Sequence, residues 1–229
     1  MLFRRHRKER REEAHAVAAA AEKPAAAATG QPPAAKQRSY EETIEEYFRE
    51  AMKNSVMINK DVIIDMYKAV EKLLRFAGGI LYGGAKEAGK LTVKRLIEQG
   101  IVNRDNVADV LFESFVIAGY ADSLHVERVE VSKGRTVLEV SGENLLLGSR
   151  LNKKGHLDQP LAGYMAGWLE TFYGEKVKAR ETACVARGDP ACVFRIEIEG
   201  EHPELEKLVG KSYRRSTWLQ GYEPRAAAN

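Results

Sequence analysis

The sequence predicts an α+β domain in which N-terminal helices pack on an antiparallel sheet. Three observations carry that prediction. Through the first half of the chain, apolar residues recur at the three-and-four spacing of amphipathic helices. From Leu124 onward the pattern changes to β-branched alternation, the mark of strands. Finally, the chain's two cysteines, Cys184 and Cys192, flank the turn Arg187-Gly188-Asp189-Pro190 and read as the mouth of a hairpin. Helices first and hairpins afterwards is the order of an α+β fold, not of repeated βαβ units.

At 229 residues the chain has room for one substantial domain with tails. Hydrophobic content of 44% and charged content of 30% are those of a soluble globular protein. No apolar run approaches the roughly 20 residues that span a bilayer, so no transmembrane segment is expected. The net charge of +3 hides an asymmetry. Residues 1–38 carry nine Lys/Arg against four Glu, which leaves the remainder mildly acidic. That opening stretch holds the cluster Arg4, Arg5, Arg7, Lys8, Arg10 and Arg11, then an Ala/Pro/Gly tract with few large apolar residues to offset the entropy of ordering. It is expected to be a disordered tail that solubilises the chain or touches nucleic acid or an anionic surface electrostatically. It lacks the apolar core of a secretory signal, so a cytoplasmic location is expected, where structural disulfides are uncommon. The expected organisation is a tail over 1–38, one domain over 39–215, and a loose end over 216–229.

The domain opens with Ser39-Tyr40-Glu41-Glu42, a capping box, followed by Ile44, Tyr47, Phe48 and Met52 at helical spacing. A second helix starts near Asp61, with Ile63, Ile64, Tyr67, Val70, Leu73 and Leu74 as its apolar stripe, and Ala77-Gly78-Gly79 is expected to interrupt it. The helical stretch that follows, through Leu96, contains Gly83, Gly84, Ala85, Ala88 and Gly89. Such small residues weaken helicity but let another backbone or a ligand approach closely. Asn103 to about Ala118 gives a further amphipathic helix, ended by Gly119. Leu124–Val131 and Thr136–Val140 form a hairpin. A polar segment over 142–159 leads to Pro160, a good first-turn residue for a helix over Leu161–Tyr173 that carries Gly163 and Gly167 on one face. Strands over about 175–184 and 191–199 frame the cysteine turn, and a helix over about 203–213 closes the domain.

Folded about Gly188, the hairpin sets Cys184 opposite Cys192, with Glu181 three residues upstream. Two such thiols with a carboxylate nearby hold a metal, form a disulfide or simply pack, and the spacing leaves all three open. Along a straight strand Glu181 and Cys184 point to opposite faces, so a shared metal requires a bulge or a strand end between them. Cys192 falls on the presumptive core face with Phe194, Ile196 and Ile198. A buried thiolate there needs a cation or a strong donor nearby, and zinc is one such cation.

The string Gly163-Tyr164-Met165-Ala166-Gly167-Trp168-Leu169-Glu170, followed after a gap by Glu181 to Phe194, resembles the C-terminal half of the 4-vinyl reductase (4VR) domain family. That family shows a Gly-aromatic-x-x-Gly helix and then Glu-x-x-Cys-x-x-x-Gly-Asp-x-x-Cys-x-Phe. The match is specific over about 32 residues, and with its looser upstream part it covers about 55–200. The resemblance implies a compact α+β domain, related to ligand-binding sensors and to vesicle-tethering TRAPP subunits, that encloses a hydrophobic or aromatic small molecule and often forms a homodimer. It also implies a zinc ion held by one Glu and three cysteines. Glu181, Cys184 and Cys192 match three of these. Near the position of the remaining cysteine this chain has Asp158, with His156 two residues earlier, and either can ligate zinc. The function implied is a non-catalytic sensor or regulator. A TRAPP-like structural adaptor and a tetrapyrrole vinyl reductase are the alternatives.

Other motifs argue little. Gly83-Gly84-Ala85-Lys86 lacks P-loop spacing, and no Gly-x-Ser-x-Gly or nucleotide fingerprint is present. His6 and His15 lie in the tail, His202 near a helix start, and His125 on a strand. Asp189 is expected to build the turn and Arg187 to be solvated. The aromatics expected to line a ligand pocket are Phe112, Phe115, Tyr82, Trp168 and Phe172, with Tyr120, Tyr173 and Phe76 near the same core.

Overall fold

The computed structural model describes residues 58–74, 77–151 and 155–215, together with Glu42, Glu45, Tyr47 and Phe48. The expected tails, the capping box at Ser39, Met52, Phe76, His6 and His15 lie outside the described residues.

Helices α1 (Lys60–Leu73), α2 (Ala77–Glu98) and α3 (Val107–Ala118) precede strands β1 (Ser123–Ser132) and β2 (Arg135–Glu143). Helix α4 (Gln159–Tyr173) then leads to β3 (Val177–Ala183), a 3₁₀ turn (Val185–Arg187), β4 (Cys192–Glu199), a second 3₁₀ turn (Pro203–Leu208) and β5 (Ser212–Arg214). The strands form one antiparallel sheet in the order β3-β4-β2-β1-β5. The α+β architecture predicted from the change of period is therefore the observed one.

Strand alternation places Leu138 and Val140 of β2 beside Ile196 and Phe194 of β4 on the buried face. Against them pack Val110, Leu111, Phe112 and Val116 of α3, and Ala162, Met165, Trp168 and Leu169 of α4. The opposite face is a charge lattice, in which Arg195 bonds both Glu139 and Glu197 at 2.8 Å.

Helices α2 and α4 meet backbone to backbone, and glycine makes this contact. A Cβ on Gly163 would stand 2.3 Å from the Tyr82 carbonyl oxygen, and one on Gly167 only 1.9 Å from that of Lys86. The expectation that small residues admit a neighbouring backbone holds there and at Gly89, which faces the Tyr164 carbonyl. Gly78, Gly79, Gly83 and Gly84 face open space instead.

Three local expectations need correction. The break between α1 and α2 falls at Leu74, whose backbone is extended, so Ala77-Gly78-Gly79 begin a helix rather than interrupt one. The helix expected over 203–213 is a 3₁₀ turn followed by a strand. Leu205 and Leu208 anchor the turn in the core, Gly210 turns the chain at φ 80°, and residues 212–214 cover the open edge of β1. The segment over 142–159 is less polar in space than in sequence, since Leu145, Leu146, Leu147, Leu151 and Leu157 are all buried.

Candidate metal centre

The site forms where the ladder between β3 and β4 stops. Ala183 pairs with Val193, which sets Cys184 opposite Cys192 at the next step, as the symmetry about Gly188 predicts. The register shifts between Glu181 and Ala183, and β3 ends at Ala183. Both devices that a shared metal requires are thus present, and Glu181 and Cys184 are buried together. Asp189 builds the turn as expected, its Oδ2 accepting from the Cys184 amide at 2.8 Å. The Val185 amide donates to Cys192 Sγ at 3.4 Å, and the two sulfurs lie 3.7 Å apart as free thiols.

Asp158 joins them from the loop ahead of α4. It sits at the N-cap position, yet its side chain does not cap that helix. It turns back to accept from the amides of Leu147 at 3.1 Å and Gly148 at 2.8 Å, and its own amide donates to Glu181 Oε2 at 3.1 Å. One donor atom each from Asp158, Glu181, Cys184 and Cys192 lies within 4.8 Å of all the others.

Burial raises the pKa of every member. Asp158 is pushed up to about 7, first by burial and then by the charge of Glu181, against the pull of the Leu147 and Gly148 amides. Burial also lifts Glu181, Cys184 and Cys192 above their ordinary ranges. Glu181 Oε1 is buried and accepts no hydrogen bond of ordinary geometry among the described residues, with the Cys184 and Cys192 thiols as the neighbours of its carboxyl. Burial thus favours the neutral form of all four groups, and a bound cation would favour their charged forms.

Gly148 was not singled out in the sequence, though it closes the site. A Cβ there would stand 2.6 Å from Asp158 Oδ2 and 3.1 and 3.2 Å from the sulfurs of Cys192 and Cys184. Its signal was faint, a glycine just after three leucines in a segment read as polar. His156, offered as an alternative donor, lies outside the set. It is half-buried, its Nδ1 is 4.0 Å from Glu181 Oε2, and its Nε2 meets the guanidinium of Arg187. Arg187 is exposed, as expected, but it packs on that ring.

Of the aromatics expected to line a pocket, Phe112, Phe115 and Trp168 are buried in one core cluster, with Tyr82 and Phe172 at its margin. Trp168 Nε1 donates to the Val107 carbonyl at 3.1 Å. Phe115 meets Tyr164 edge-on at 5.4 Å and Tyr120 at 5.9 Å. Tyr164 was quoted only as part of a motif. Its ring joins Phe115 to Trp168, and burial pushes its hydroxyl pKa to about 12. His125 is a solvated strand residue whose Nδ1 meets Ser212 Oγ at 2.8 Å.

The V4R domain matches residues 157–198, a stretch that contains all four donors. An uncharacterised protein of Methanocaldococcus jannaschii is 30% identical over 123 residues, which is 52% of this chain and 64% of that protein. The match therefore spans less than two thirds of that relative. Among solved structures, the phenol-responsive sensory domain of the transcription activator PoxR, with phenol, superposes with a TM-score of 0.56 at 15% identity, covering 81% of this chain and 98% of that one. A vinyl-4-reductase family protein of Methanocaldococcus jannaschii gives 0.42 at 18% identity, over 74% and 100% of the two chains. A trafficking protein particle complex subunit 3 of Naegleria fowleri, covalently bound to palmitic acid, gives 0.42 at 10%, over 70% and 93%. The resemblance drawn from the helix at Gly163 and the hairpin at Glu181 is borne out.

Proposed function

We propose that this chain is a small-molecule sensor or regulatory domain that binds an apolar or aromatic ligand, stiffened by zinc at the hairpin mouth. The observation that carries the reading is the buried set of Asp158, Glu181, Cys184 and Cys192 inside the V4R match. A tetrahedral zinc with sulfur arms of about 2.3 Å sets two sulfurs roughly 3.8 Å apart, and here they stand at 3.7 Å. The two carboxylates complete the set, Glu181 through its orphaned Oε1. Zinc would supply the positive charge that four buried acids lack and tie the β3–β4 hairpin to the loop ahead of α4.

Support for ligand binding comes from the fold, which is shared over most of the chain with a sensory domain described as phenol-responsive. Phe115, Tyr164 and Trp168 are in continuous ring contact at the core, and a ring-shaped apolar molecule would lodge beside them, with Tyr hydroxyls as polar anchors. Pairing of two copies in the cytoplasm would pass occupancy on to a partner.

Two measurements on the purified chain test this. Metal analysis should find one zinc per chain, and a chelator should lower Tm. Titration with phenol, followed by calorimetry, should saturate. Protein that purifies without metal and melts the same in chelator overturns the zinc part. Protein that neither binds phenol nor yields any apolar molecule on organic extraction overturns the ligand part.

A further inference from the structure

We infer that Cys184 and Cys192 are an oxidative modification site, at which a peroxide closes them into a reversible disulfide that expels the zinc. The inference rests on the zinc reading for its second half only. The sulfurs are 3.7 Å apart, against about 2.05 Å in a disulfide, so the pair is reduced yet one small movement from bonding. The chain has no other cysteine, which leaves one intramolecular pairing.

The fold permits that movement. Cys184 lies one residue beyond the last paired residue of β3, and its backbone is held by the turn alone, through Arg187 N, Asp189 N and the Asp189 carboxylate. Gly188 closes the turn in the left-handed region, at φ 94°. Cys192, by contrast, is fixed in β4 against Gly142. One sulfur is therefore mounted on the turn and the other on the sheet. Both cysteines are buried, but the turn residues Val185, Arg187 and Gly188 that follow Cys184 are exposed, so a small oxidant has a short way to go.

The chemistry balances with a peroxide as oxidant. One thiol, giving up its proton as its sulfur attacks the peroxide O–O bond, forms a sulfenic acid and releases water (an alcohol, from an organic hydroperoxide). The second sulfur displaces the sulfenic oxygen as water, so the two sulfurs together give up two electrons and the peroxide accepts them. A neighbour at 3.7 Å intercepts the sulfenic acid before further oxidation. With both sulfurs bonded to each other, zinc loses two ligands and leaves. Asp158 and Glu181 then remain buried together without a cation, and the Leu147–Gly148 amides held by Asp158 feel the change.

Hydrogen peroxide added to the purified chain, with and without prior chelator treatment, tests this by mass spectrometry. Trypsin cuts after Arg180, Arg187 and Arg195, so the cysteines fall on separate peptides, 181–187 and 188–195. The expected result is one linked peptide pair, less two hydrogens, that dithiothreitol reverses. A chromogenic chelator should register one zinc released per link. Sulfinic acid, links between chains, or no link in either sample overturns the inference. If zinc is present and peroxide removes it without linking the peptides, the inference fails and the zinc reading stands. If the peptides link but the untreated protein holds no zinc, the modification site stands and the zinc reading fails.

Discussion

Two buried acidic sites in this molecule are built on opposite plans. Asp109, in the first turn of α3, offers Oδ1 to the Lys211 ammonium at 2.9 Å and the Tyr213 hydroxyl at 2.7 Å, at the positive end of its helix. Asp158 and Glu181 have no such company. Their neighbours are backbone amides, the two thiols and, 4.0 Å from Glu181, the His156 ring, and among the described residues no lysine or arginine is within ion-pair distance of either. The first site is complete within the protein chain. The second gathers four buried acidic groups with, among the described residues, no ammonium or guanidinium beside them, and the proposed zinc would supply the missing charge.

The sharpest way to break this contrast is to remove the cation. Cys184→Ser combined with Cys192→Ser should abolish zinc binding and lower stability by about 5 kcal/mol or more, read as a fall in Tm that chelator does not deepen. Glu181→Gln should change sign with the metal. With zinc bound it destabilises by about 2–3 kcal/mol, since a charged ligand is lost. In chelator it stabilises slightly, because it removes one of two buried like charges. A Glu181→Gln effect identical in zinc and in chelator would show that the site is complete without metal.

Asp109→Ala sharpens the other side. It removes the carboxylate that the Tyr213 hydroxyl and the Lys211 ammonium both bond, and should cost about 3 kcal/mol by urea unfolding, the same with and without chelator. Gly148→Ala should cost about 1–3 kcal/mol by crowding, because its Cβ would press on Asp158 Oδ2 and both sulfurs. Unlike Asp109→Ala, it should also weaken zinc affinity in a competition titration. Equal metal dependence of the two variants would erase the distinction drawn between the sites.

How much of this was legible in the sequence follows from what each feature depends on. The change of period gave the architecture, because burial of one helix stripe or one strand face is a local pattern. The hairpin register could be read because two cysteines sit symmetrically about Gly188. Asp158 was reached only through the missing family cysteine, since nothing local says that an N-cap aspartate will turn away from its helix. Gly148 and Tyr164 escaped because their roles are set by what the fold brings to them from distant segments. The strand over 212–214 was taken for helix because its partner, the open edge of β1, is a tertiary fact.

The smallest effect tests the rule in an intermediate case. Glu170 on α4 is partly exposed and bonds Lys86 of α2 at 2.7 Å, with Lys90 at 3.5 Å. Burial pushes its carboxyl pKa up, but Lys86, the Val177 amide and Lys90 outweigh that and hold it below its usual value. A carboxyl lowered in the folded state adds stability that is full above its unfolded pKa. That stability fades as pH falls through the folded one. Solvent screening keeps it below about 1 kcal/mol. Lys86→Met should therefore flatten the slope of stability against pH on the acid side of the carboxylate range, and should leave zinc content unchanged. It also leaves in place the glycine contacts that seat α2 on α4, so the helices stay docked and the loss is electrostatic alone. A Lys86→Met variant that keeps the parent's acid slope would mean that the pair is solvated and that only fully buried acids in this fold demand a counter-charge.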